Sequence, residues 1–99
     1  MATVKINQFE IMYSANQFAP RIWLWGGGRP LGLLVFMPNG SALPVDTMVN
    51  NQVNLFYHLE NLETMMTLFR GEKNLYLLWN GPGPGFENGI QTTELILGT

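Results

Sequence analysis

Arg21-Ile22-Trp23-Leu24-Trp25-Gly26-Gly27-Gly28-Arg29-Pro30-Leu31-Gly32-Leu33-Leu34-Val35-Phe36-Met37 is the stretch from which the fold of this 99-residue chain is read. Trp23 and Trp25 lie two apart, so on a strand they share one face, while Ile22 and Leu24 share the other. Leu31 to Met37 is apolar on both faces as well. Between the two runs, Gly26-Gly27-Gly28-Arg29-Pro30 reads as a turn, because consecutive glycines reach positive φ at no steric cost. The expected unit is a β-hairpin. Strands that are apolar on both faces are normally buried on both, so whatever surrounds this hairpin has two faces to cover.

Outward towards the N-terminus, Val4 to Ser14 reads as a strand. Val4 and Ile6 occupy one parity and Phe9, Ile11 and Tyr13 the other, which suggests a bulge near Gln8. Asn16 to Pro20 is a connection. Towards the C-terminus, Pro38-Asn39-Gly40 is a turn built on the favoured type I′ pair Asn-Gly. Ser41 to Asn51 reads as irregular, with Pro44 and a lone Asp46. Gln52 to His58 alternates and is a strand. Leu59, Leu62, Met65, Met66 and Phe69 then fall at helical spacing. Asn61 is the expected N-cap, Glu63 sits in the first turn, and Arg70-Gly71 is the exit. Asn74 to Trp79 is a strand, Asn80 to Asn88 a Gly/Pro loop, and Gly89 to Leu97 a last strand. Neither a repeat nor a linker interrupts the chain, so residues 1–99 read as one α+β domain. Its expected architecture is a mostly antiparallel twisted sheet of five or six strands, with one short helix, Asn61 to Arg70, packed on one face. Val53 to Trp79 is a candidate right-handed strand–helix–strand crossover with parallel strands.

Composition narrows the function classes. Charged residues make up 12% of the chain, about half of the usual ~25%, and asparagine fills part of the gap, as at Asn50, Asn51 and Asn54. A surface this poor in charge suggests that something covers part of it. The net charge of −2 and the scattering of the five basic residues (Lys5, Arg21, Arg29, Arg70, Lys73) argue against a binder of nucleic acid, which uses clustered Lys and Arg to displace counterions. The absence of cysteine excludes a disulfide scaffold and thiolate metal sites. The longest apolar run, Leu33 to Met37, falls far short of the ~20 residues of a membrane span. The N-terminal residues lack the apolar core of a signal peptide. The expected location is therefore the cytoplasm, away from the membrane.

No catalytic or metal constellation is complete at the spacing its chemistry needs. His58-Leu59-Glu60 matches the His-x-Glu fragment of zinc deaminases, but that chemistry needs Pro-Cys-x-x-Cys to hold the metal. The bland reading of His58 is a strand-end histidine meeting a carboxylate. Ser14 and Ser41 lie in no Gly-x-Ser-x-Gly elbow. Glu60 and Glu63 are explained by the helix dipole at the start of a helix. Gly26-Gly27-Gly28-Arg29-Pro30 and Gly81-Pro82-Gly83-Pro84-Gly85-Phe86 resemble phosphate loops, yet a phosphate loop must open a helix, and each proline removes an N–H that a phosphate would need. No catalytic residue, cofactor or metal ligand is assigned, and an enzyme is the lesser reading. Phe86, at the end of the second loop, is either an anchor to the core or a ligand contact, the anchor being preferred.

The segment Val53-Asn54-Leu55-Phe56-Tyr57-His58-Leu59 through Arg70-Gly71-Glu72-Lys73, with Leu75-Tyr76-Leu77 and Asn88-Gly89-Ile90-Gln91-Thr92 after it, resembles a group of small uncharacterised bacterial proteins. The resemblance covers the C-terminal half and implies a bacterial source and one α+β domain. It carries no functional residue. The function read from the residues is a small non-enzymatic binding or interaction module that associates with its own copy as a homodimer. Trp23, Trp25 and Phe86 are its candidate interface or ligand surface. The alternative is a small-molecule-binding protein or enzyme with a pocket near the Gly81–Phe86 loop. Two outside segments compete with a partner for the Trp23–Trp25 face: Asn16 to Pro20 and Ser41 to Asn51, which carry Phe18, Leu43, Val45 and Met48.

Overall fold

The computed structural model describes residues 2–72 and 74–93. Along the chain run β1 (Ala2–Ile6), β2 (Gln8–Met12), β3 (Arg21–Gly26), β4 (Arg29–Met37), β5 (Thr47–Val49), β6 (Gln52–His58), a 3-10 turn (Leu59–Asn61), α1 (Leu62–Gly71), β7 (Leu75–Trp79) and β8 (Gly89–Gln91). The class is α+β, but the strands form two sheets. One has the order β1-β7-β8 and the other β2-β3-β4-β6-β5.

The change of parity near Gln8 is where the sheets part. It is not a bulge within one strand. In β1, Val4 opposes Leu77 and Ile6 opposes Leu75, whereas in β2 Gln8 opposes Trp25 and Phe9 opposes Leu24. Asn7 is the corner. Its N–H donates to the Trp25 carbonyl at 2.8 Å, and its side-chain oxygen accepts from Gly27 N–H at 3.0 Å. Because side chains alternate strictly, the odd step from Ile6 to Phe9 lets both point into the same core from different sheets. The crossing is tight: a Cβ on Gly26 would overlap the Lys5 carbonyl oxygen.

The expected parallel crossover from Val53 to Trp79 is not formed, since β6 and β7 belong to different sheets. The parallel pair is instead β4 and β6, running from Gly32 opposite Val53 to Met37 opposite His58. The stretch expected to be irregular contains β5, which turns into β6 through Asn50 and Asn51. These are the only non-glycine residues with positive φ among those described, at 53° and 64°, as a two-residue type I′ hairpin requires. Asn39-Gly40 takes a different turn, with positive φ at Gly40 alone and Ser41 N–H donating to Pro38 O at 3.2 Å. Of the last strand, Gly89–Gln91 is formed, and the expected extension over 94–97 lies outside the described residues.

The core gathers Ile22 and Leu24 from β3, Leu31, Leu34 and Phe36 from β4, and Val53 and Leu55 from β6. Ile6, Leu75 and Leu77 come from the smaller sheet, and Met65 and Phe69 from the helix. Leu62 and Met66 flank this stripe, half-buried. Phe69 lies on Phe9 with ring centroids 4.7 Å apart, and Phe36 stacks on Tyr57 at 5.6 Å. Such pairs add ~1 kcal/mol to area burial. The 3-10 turn displaces the expected cap: Asn61 makes no capping bond, and the Glu60 N–H is met across space by the side chain of Asn39 at 2.7 Å.

Candidate interaction face on the larger sheet

Alternation along β3 sends Ile22 and Leu24 into the core and Arg21, Trp23 and Trp25 to the opposite face. Ladder partners share a face, so the rest of this outer face follows from the register. Glu10 opposes Trp23, Trp23 opposes Leu33, and Leu33 opposes Asn54, one row across four strands. The next row is Met12, Arg21, Val35 and Phe56, and Met37 opposite His58 follows. Trp23, Trp25, Leu33, Val35, Met37 and Phe56 are all half-buried, and none belongs to the core or to the side chains packed against it.

The two segments that could have covered this face do not bury their apolar side chains. Phe18 is 61% exposed, Leu43 40% and Val45 53%. Helix α1 is on the other side, with Met65 and Phe69 in the core. Charge is sparse on the face. The Arg21 guanidinium lies 5.0 Å from the Trp23 ring centroid, a cation–π contact, and also donates to Ala19 O at 3.0 Å. Glu10 is its diagonal neighbour on β2. At the far end, His58 meets a backbone carbonyl where a carboxylate was expected: its Nε2–H donates to Ser41 O at 2.7 Å.

Trp23 and Trp25 share the outer face of β3, while Phe86 stands in the loop between β7 and β8. Phe86 is 51% exposed and its ring packs on Gly81, so it does not anchor the loop in the core. The loop is held elsewhere, by Asp46. Its carboxylate accepts from Phe56 N–H at 3.1 Å and from the Asn88 side chain at 3.2 Å, and its carbonyl accepts from Gly83 N–H at 3.4 Å. This places Gly83 and Pro84 beside Phe56, with Leu43, Pro44 and Val45 completing a groove at the border of the outer face. Leu33, Val35, Met37 and Phe56 were not singled out from the sequence. The signal was their period-two spacing within apolar runs, and only the ladder register says which parity joins the tryptophans.

Among the described residues no three His, Cys, Asp or Glu side chains gather closely enough to hold a metal ion, and no helix is long and apolar enough to cross a membrane. No protein-family model, curated protein or solved structure matches the chain.

Proposed function

We propose that this protein is a non-enzymatic interaction module that self-associates, two copies meeting through the outer face of the five-stranded sheet. One observation carries the reading: six apolar side chains, Trp23, Trp25, Leu33, Val35, Met37 and Phe56, share one face over three strands on the side away from the core, while Phe18, Leu43 and Val45 of the neighbouring segments stay exposed. Contiguous apolar patches of this kind are uncommon on proteins that stay monomeric. A two-fold axis is the simplest way for a surface to cover itself. The charges on the face suit it, because Glu10 and Arg21 have opposite signs and a two-fold operation can set each against the other's copy. Tryptophan and phenylalanine are enriched at protein interfaces, and Trp23, Trp25 and Phe56 stand on the two strands that flank β4.

Analytical ultracentrifugation of the wild type and of Trp23→Ser/Trp25→Ser tests this. The wild type is expected to sediment as a concentration-dependent dimer, and the double variant as a folded monomer by circular dichroism. A wild type that remains monomeric at high micromolar concentration overturns the proposal. A folded double variant that still dimerises overturns the assignment of the face.

A further inference from the structure

We propose that the cleft between the two sheets binds a small aromatic carboxylate, with Arg29 receiving the carboxylate. This site is separate from the outer face, because Leu31 and Val53 in its lining belong to the inner, core-forming side.

Among the described residues one helix, α1, packs on the core, and Met65 and Phe69 place it at one end. Phe69 sits with Ile6, Phe9 and Leu75 at that end. At the other end, Val4, Leu77 and Trp79 of the smaller sheet face Leu31, Met48 and Val53 of the larger across a cavity of about 180 Å³. Leu31, Val53 and Leu77 are buried, whereas Val4 and Met48 are exposed at 36% and 41%. The first three therefore make an apolar interior and the other two an open rim. A cavity of ~150 Å³ with aliphatic walls is large enough for a benzene ring, so this one suits a single ring with a short substituent, and Trp79 offers it an aromatic wall.

Among the described residues, two polar ones line the cavity, Arg29 and Asn51. Among the described residues, the one hydrogen bond of the Arg29 guanidinium is from Nη1 to the Asn51 carbonyl at 3.3 Å, which leaves its other donors open. A guanidinium is a planar fork that matches a carboxylate in a bidentate pair. Arg29 is the one cation among the described residues of the lining, and a single guanidinium suits a ligand with one planar, singly charged anionic group better than a doubly charged phosphate. The arrangement is the usual one for small-ligand sites, apolar walls with one or two polar groups that fix orientation.

The test uses phenylacetate and its neutral counterpart phenylacetamide as probes, followed by two-dimensional NMR on the full chain. Phenylacetate is expected to shift the Val4, Val53 and Leu77 methyl signals and the Trp79 indole signal saturably, and phenylacetamide to bind at least tenfold more weakly. Arg29→Gln, a change at an exposed side chain whose folding is checked by its spectrum, is expected to weaken phenylacetate at least tenfold and to leave phenylacetamide unchanged. The absence of saturable shifts at these residues up to millimolar probe overturns the site. Equal affinity for the two probes, or an Arg29→Gln variant that binds phenylacetate like the wild type, overturns the role of Arg29.

Discussion

Gly32 stands where two constraints meet. It lies in β4 opposite Val53 in the parallel ladder, next to the point where the β3–β4 register shifts between Leu24 and Trp25. Its φ is +145°, and a Cβ there would overlap the backbone of Val53. Within the apolar run Leu31 to Met37 it read as one more strand residue, because the cost of a side chain comes from a neighbour twenty-one positions away. Gly32→Ala is expected to destabilise the protein by roughly 2–5 kcal/mol, strain and overpacking together, measured by urea denaturation. A loss below about 1 kcal/mol would mean that β4 and β6 part easily here. Asp46 makes the same point from the polar side. It looked isolated along the chain, yet it accepts hydrogen bonds from segments ten and forty-two residues away.

Helix α1 was legible because its periodicity is local. Leu62, Met65, Met66 and Phe69 recur at the spacing of one helical face, and Met65 and Phe69 are buried. Phe69 is 4% exposed and lies on Phe9, so Phe69→Ala is expected to cost about 3–5 kcal/mol through lost burial and a cavity. Equilibrium unfolding of the variant checks it, and a cost near 1 kcal/mol would make the helix peripheral to the core. The strands were less legible. Most of their spans follow from alternation, but β5 is three residues long and shows no period of its own. It exists because β6 offers it a ladder and Asn50-Asn51 can turn back at positive φ.

Tyr57 contributes to how the stability of the whole molecule changes in alkali. Burial, and secondarily the charge of Asp46, push its phenol up to about 12 from an ordinary value of 10.0. As pH rises above 10, the unfolded chain loses this proton first and the folded protein holds it, so unfolding gains and stability falls until the folded phenol also ionises near 12. Between about pH 9 and about pH 11 the wild type is expected to lose about 1 kcal/mol more than Tyr57→Phe, read from urea midpoints at the two pH values. Identical pH slopes for the two proteins would show that the phenol ionises without hindrance in the folded state. The same scale holds the two binding readings. The outer face arises from the register of four strands and the inner cleft lies between two sheets, and neither is a property of a single segment.

By itself the sequence determined the local periods: which runs alternate, where the helical spacing begins at Leu59, where Gly26-Gly27-Gly28 must turn, and that Trp23 shares a face with Trp25. It also marked the change of parity between Ile6 and Phe9. Only the tertiary structure decided that this change moves the chain from one sheet to another, that β4 and β6 run parallel, and that Leu33, Val35 and Phe56 join the tryptophans on one face. The physical reason is the range of the interactions. Alternation, turn chemistry and helical spacing are set by neighbours within a few residues, whereas register, sheet membership and the cover of a face depend on which distant backbone groups pair.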